Sequence, residues 1–220
     1  MQCSKCRKES IVYQPYSGQH LCRDHFINDL EAKVKRAIRV HQWMRPGDHI
    51  GVPLDGNSSG KALLFFLDKL TGNRRDIRVS AIPACEGIAG YQEMARDSGI
   101  TKIAIATMLE DAAASALADV LQGNVERHIP YSDDCASTLP LITPLSHIPA
   151  EEIAVYARVH GITEEKLPCP QENDPLYTEV KAMLIDYSKR HPAAPHAVLN
   201  LSESLALTCR KSDEVLPHGA

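Results

Sequence analysis

Cys3, Cys6, Cys22 and His25 stand in a C-x2-C-x15-C-x2-H pattern. Thiolates and imidazole are the soft ligands that hold Zn2+ tetrahedrally, and two close pairs separated by a short hairpin can wrap such an ion. Four protein ligands leave no open position, so the centre would be structural rather than catalytic. The plain alternative is four residues that share a spacing by chance. His20 is a rival fourth ligand with poorer spacing.

A second candidate lies at residues 49–70, which read as strand, polar turn and helix. Ile50, Val52 and Leu54 alternate, Asp55 to Gly60 are all turn formers, and Ala62 to Leu70 is an apolar helical run. Unpaired N–H groups at a helix start suit a phosphate, so Gly56, Asn57, Ser58, Ser59 and Lys61 are candidate nucleotide-binding residues. The alternative is an ordinary strand-to-helix connection. The turn is not a Walker A loop, because only three residues separate Gly56 from Gly60 and Ala62 follows Lys61. Third, Lys33, Lys35, Arg36 and Arg39, followed by Arg45, crowd one predicted helix. Such a face is either kept for phosphates or simply solvated; Lys33, Lys35, Arg36 and Arg39 are the candidate residues for such contacts. Cys85, Cys135 and Cys169 are three further thiols, either cluster ligands or unrelated, and nothing pairs them at ligand spacing.

These groups need a frame, and the pattern predicts one. Ile11–Tyr13 is a strand and Tyr16–Gly18 a turn; a helix follows over 27–44, with Leu30, Val34, Ala37 or Ile38 and His41 on its apolar stripe. After the central strand and helix, strands are predicted at 77–82, 102–106 and 141–145. Residues 85–91 are predicted as a loop leading to a short helix that ends at Ser98, and 125–140 as a loop. Further helices are predicted over 110–121, 149–159, 175–190 and 197–209. Strands alternating with helices imply a parallel sheet with helices on both faces, an α/β fold, here preceded by a small zinc-binding hairpin. The expected divisions are a zinc module at 1–28, a basic linking helix at 29–46, an α/β domain at 47–210 and a frayed tail at 211–220.

The totals bound the function. A chain of 220 residues with 44% apolar content can bury a real core. A net charge of −4 means that any nucleic-acid contact must come from a local basic face. The chain start does not read as a signal peptide and no apolar run reaches membrane-span length, so a cytoplasmic protein without membrane contact is expected. Seven cysteines in such a chain suggest metal or reactive thiols before disulfides.

Taken in order, these features resemble the PP-loop superfamily, and within it the archaeal and thermophile-type two-zinc tRNA 2-thiouridine synthetases. The likeness is carried by Cys3-Ser4-Lys5-Cys6, by Tyr16 to Phe26, and by the basic helix running into Arg45-Pro46-Gly47-Asp48. Leu121 to Asn124, Thr143-Pro144-Leu145, Ile148 to Ala157 and Glu164 to Pro170 carry it further. The resemblance implies ATP-dependent adenylation of a tRNA uridine followed by sulfur transfer. It also implies tRNA, a sulfur-carrier protein and a second copy of the chain as partners. Where that family has S-G-G-K-D-S around the pyrophosphate of ATP, this chain has Asp55 to Gly60, and only Gly56 is kept. A carboxylate at Asp55 repels an approaching phosphate, at a cost of roughly a few kcal/mol in a partly dry site. The family's G-H-N-L-D-D-E-A motif lines up with Ala106 to Ala113, where Leu109, Asp111 and Ala113 fit. Glu110 and Asp111 would hold Mg2+ or ribose, and Cys169 falls at the family's third sulfur-handling cysteine. Its C-x-x-C pair and second zinc knuckle are missing, so an iron–sulfur cluster is not expected, and a middle segment before the Lys102 strand is expected to be lost. The expectation is therefore a diverged ATP-dependent tRNA sulfurtransferase-like protein with activity lost or altered. The alternatives are a non-catalytic zinc-containing scaffold for tRNA or a partner, and a new small-ligand site at Asp55, Ser58, Ser59 and Lys61.

Overall fold

A computed structural model describes residues 1–85, 87–123, 139–163 and 174–213 of the chain. Two short strands, β1 (Val12–Gln14) and β2 (Gln19–Leu21), form an antiparallel hairpin closed by Gly18 at φ 66°. Helix α1 (Arg23–Val40) leads to β3 (His49–Leu54), α2 (Ser58–Thr71), β4 (Arg78–Pro83) and α3 (Gly87–Ser98). Then come β5 (Lys102–Ala104), α4 (Leu109–Leu121), β6 (Leu141–Ile142), α5 (Ala150–Val159), α6 (Pro175–Ser188) and α7 (Ala194–Asp213). Strands β3 to β6 make a parallel sheet in the order β4-β3-β5-β6. The expected α/β fold is therefore present, zinc hairpin first.

The sheet has a helix layer on each face, and strand alternation explains why. Ile50, Val52, Ala104 and Ile142 point to one side, into a core with Phe26, Leu30 and Val34 of α1, Leu63, Phe66 and Leu67 of α2, and Ile153 and Tyr156 of α5. Ile82 and Ile103 point to the other, where Ala95 of α3 and Ile100 meet them. Gly51 lies beneath that second layer. A Cβ there would come 3.0–3.2 Å from the Ile82, Ile100 and Ile103 methyls, so a residue without a side chain leaves the space they fill. Burying each large aliphatic side chain contributes about 1.5–3 kcal/mol.

The chain divides into two compact units. One comprises Met1–Met108 and Asp133–Glu172; the other comprises Leu109–Ser132 and Asn173–Ala220. The first holds the hairpin, the sheet, α1, α2, α3 and α5. In the second, α4 packs on α6 and α7 through Ala114, Ala118 and Val180 and through Leu109, Ala112 and Leu199. No helix among the described residues is long and apolar enough to cross a membrane.

Several boundaries differ from expectation. Helix α1 starts four residues early, because Cys22 and His25 form its entry turn, and it stops at Val40. Helix α2 takes in Ser58 to Gly60, so the turn shrinks to Asp55–Asn57. Residues 87–91 are the start of α3 rather than loop. Strands β5 and β6 are shorter than the apolar runs that suggested them, since Ile105–Ala106 and Thr143–Leu145 leave the ladder. Cys135 and Cys169, most of the predicted 125–140 loop, the Glu164 to Pro170 stretch and the end of the tail lie outside the described residues.

Buried charges lock α1 in place. Glu31 is 5% exposed; it accepts from Lys69 Nζ of α2 at 2.6 Å and from the Tyr156 hydroxyl of α5 at 3.1 Å, with Lys35 at 3.4 Å. Beyond the helix, Asp48 accepts from the Arg45 N–H at 2.6 Å and pairs with buried Lys102 at 3.0 Å; Lys102 also donates to the Trp43 carbonyl at 3.1 Å. Lys102→Met should therefore leave a buried, unpaired carboxylate and cost about 3–5 kcal/mol, read as a lower urea midpoint. For Glu31, burial acts to raise the carboxyl, but Lys69 and Tyr156 outweigh it and hold the group below its ordinary value. A depressed carboxyl contributes stability above the unfolded-state value and loses it as pH falls through the folded one. The wild type should thus lose stability below the ordinary glutamate range more steeply than Glu31→Gln, as urea titrations at stepped pH would record.

Candidate metal centre and anion-binding loop

The hairpin and the start of α1 bring the four predicted ligands together. Their ligand atoms all lie within 4.8 Å of one another. Cys3 Sγ and Cys22 Sγ each stand 3.4 Å from His25 Nδ1, and Cys6 Sγ is 3.7 Å from Cys22 Sγ. Zinc bonds of about 2.3 Å to sulfur and about 2.0–2.1 Å to nitrogen give tetrahedral edges of roughly 3.8 Å and 3.5 Å, so the quartet fits a Zn2+ ion. Cys3 and Cys22 are buried among apolar neighbours. Burial pushes the Cys3 thiol up, but hydrogen bonds from the backbone at Cys22 and Lys5 and from His25 bring it down to about 6. The backbone at Lys8 favours the Cys6 thiolate, yet burial and the sulfurs of Cys22 and Cys3 raise it. A divalent cation bound between them would favour the thiolate form of Cys3 and Cys6.

The metal module is joined to α5 by a polar network that spacing alone did not reveal. Glu152, 3% exposed, accepts from the Tyr16 hydroxyl at 2.6 Å and from Gln14 Nε2 at 3.2 Å. Lys33 lies 2.6 Å from Asp29 and donates to Tyr16 at 2.7 Å. Lys33, expected on an open RNA face, is thus held by Asp29 and the Tyr16 hydroxyl. Arg36 and Arg39 are exposed, while Lys35 leans on Glu31. A Gln at the end of one strand and a Glu just before the apolar run of a distant helix were the available sequence signal for this network.

The turn after β3 sits where open α/β sheets bind ligands. The chain moves from β3 to β4 on one side and returns to β5 on the other, so the crevice beyond the carboxyl ends of β3 and β5 is the switch point of the sheet. Gly56 is at φ 88°, and Asn57 is the N-cap of α2. Asp55 accepts from the Asn57 backbone N–H at 3.0 Å and from Asn57 Nδ2 at 2.7 Å. Ser58 is buried, and Lys61 donates to the Thr163 carbonyl at 3.3 Å. Gly60 is required by contact: a Cβ would fall 2.9 Å from the Pro53 carbonyl oxygen. Asp111, in the second unit, faces Lys181 and the Tyr177 hydroxyl at 2.9 Å; burial and Asp111 together push Tyr177 up to about 12. Cys85 is half-buried just past β4, and Cys169 lies outside the described residues.

Several known proteins are similar to this chain. Residues 2–27 match the N-terminal LIM domain of the 2-thiouridine synthetase TtuA. The chain is 23% identical to the tRNA 2-thiolation protein NcsA of Haloferax volcanii, over 96% of this chain and 89% of that one. That alignment runs over 286 positions, more than the 220 residues here, so the relative carries segments that this chain lacks. A tRNA-5-methyluridine(54) 2-sulfurtransferase of Pyrococcus horikoshii is 20% identical over 87% of this chain and 78% of its own. Among solved structures, the U34-tRNA thiolase NcsA from Methanococcus maripaludis with its 4Fe-4S cluster superposes with a TM-score of 0.76 at 19% identity, covering 94% of this chain and 88% of that one.

Purified wild-type protein should carry one zinc per chain by elemental analysis. Cys6→Ser should lose most of it, and a chelator should lower the melting temperature of the wild type but not of the variant.

Proposed function

Because the chain is a distant homologue of the tRNA 2-thiolation proteins of the PP-loop superfamily, we propose that it is a tRNA-binding relative in which uridine adenylation and sulfur transfer are lost or altered. The zinc module and the basic residues of α1 would dock the RNA, with Arg36 and Arg39 on the exposed face. Gly56, Asn57, Ser58, Ser59 and Lys61 would form what remains of the phosphate cradle. A cytoplasmic setting and a homodimer go with this proposal, as does a sulfur-carrier partner if transfer persists.

Asp55 is the observation that supports it best. Its carboxylate takes an N–H at the very start of α2, where an anionic ligand would otherwise be drawn. A triphosphate entering the switch-point crevice would have to approach that negative group, and at an effective dielectric of about 20 two charges about 4 Å apart oppose each other by roughly 4 kcal/mol. A second proposal keeps the chemistry: the relative from Methanococcus maripaludis is described with its 4Fe-4S cluster, and Cys85 stands near the same end of the sheet. Cys169 and Asp111 would then handle sulfur and Mg2+.

Calorimetry with ATP and Mg2+ separates the two. Under the first proposal wild-type protein gives no heat at millimolar nucleotide, and Asp55→Ser gains measurable binding. Micromolar binding by the wild type would overturn it in favour of the second.

A further inference from the structure

A cleft of about 520 Å3 opens beside the C-terminal half of α1, the connection that follows it and the end of α2. Four cations line it, Lys35, Arg39, Arg45 and Arg74, and no carboxylate is among its lining residues. Ile38, Met44 and Leu70 supply an apolar wall. Arg74 shares its guanidinium with Asp76 at 2.6 Å, and Lys35 meets Glu31 only at 3.4 Å. Arg39 has no ion pair among the described residues. In a chain of net charge −4 this is a local concentration of positive charge and not a reflection of the whole surface. The cleft adjoins the connection that enters β3, whereas the Asp55 turn leaves the other end of that six-residue strand, about 20 Å away. The two are separate sites.

Gln42 adds an independent observation. Helix α1 ends with the Trp43 N–H bonded to the Ile38 carbonyl at 3.1 Å, a closure that needs a left-handed residue between them, and Gln42 supplies it at φ 51°. Helices α3 and α5 close the same way, Ile100 to Ala95 and Ile162 to Ala157, but use Gly99 and Gly161. Glycine takes this conformation without steric cost and glutamine does not. A strained glutamine lining a cationic cleft marks a side chain kept for contact.

We infer that this cleft holds one unstacked nucleotide of a single-stranded RNA segment, with its phosphate on Lys35 and Arg39, its base against Ile38, Met44 and Leu70, and the Gln42 amide bonded to it. The chemistry matches: cations track the backbone, apolar surface takes a base face, and an unpaired nucleotide, unlike one held in a duplex, can offer both to one pocket. Lys35 and Arg39 stand four residues apart on one side of α1, away from Lys33, which Asp29 and Tyr16 hold, and Gln42 follows just past the helix end. The inference rests on the proposal that the chain binds RNA.

Fluorescence anisotropy of zinc-loaded protein with a labelled single-stranded RNA oligonucleotide and with a tRNA transcript, over a salt series, tests it. Arg39→Ala should weaken binding several-fold and lower the salt slope by about one, while Arg96→Ala, exposed on α3, does much less. Gln42→Gly should raise the melting temperature yet weaken binding, an outcome that a misfolded variant could not give. Equal effects at Arg96 and Arg39, or a more stable Gln42→Gly that binds as the wild type does, would sink the cleft while leaving RNA binding intact. Wild-type protein that binds neither RNA would sink the RNA proposal itself.

Discussion

Two of the four clustered ligands are the N-cap and the first turn of α1, so closing the hairpin also fixes where that helix begins. Eighteen residues of helix span about 27 Å, and the buried side of that rod forms part of the main core of the first unit. Its apolar stripe meets α2, α5 and the sheet; its far end is closed by Gln42 and tied by Asp48 and Lys102. Position at one end and orientation at the other leave α1 little freedom to roll, so its polar faces point in set directions.

Those faces are not equivalent. Carboxylates were placed where the hairpin, α2 and α5 converge, and each takes partners from a different element. Glu152 reaches the hairpin and Glu31 reaches α2 and α5, while Asp29 takes Gln14 of the hairpin as well as Lys33 of its own helix. An isolated buried charge would be costly, whereas one shared by several donors gives the contact direction. Part of the positive charge on α1 is therefore structural, and only the remainder faces outward. The same economy appears at the switch point, where Asp55 turns its charge onto the N-terminus of its own helix.

Much of this was legible from residue types. Paired ligand spacing gave the metal quartet, because a C-x2-C pair and a C-x2-H pair can hardly serve any other geometry. Alternation in Ile50, Val52 and Leu54, with turn formers after them, placed the central strand and its loop. Helix ends were harder. Ser58 to Gly60 are favourable in turns yet lie in α2, where tertiary packing overrides a weak local preference. The role of Lys33 was hidden because its partner Asp29 is local but the reason for holding it, Tyr16 and Glu152, is not. The cleft was invisible for the same cause: Arg74 and Met44 join Arg39 only once α2 packs against α1.

The second unit is discontinuous in the chain. Helix α4 is made between β5 and β6, but its packing partners α6 and α7 follow only after α5. During synthesis the alanine face of α4, with Ala114 and Ala118 buried in the finished protein, must wait uncovered until the last two helices emerge. The first unit has no such delay for its hairpin and α1, which can close as soon as residue 40 has left the ribosome. The fold thus assembles its metal module early and its second unit last, and any shortening of the carboxyl terminus would be felt by a helix laid down more than seventy residues earlier.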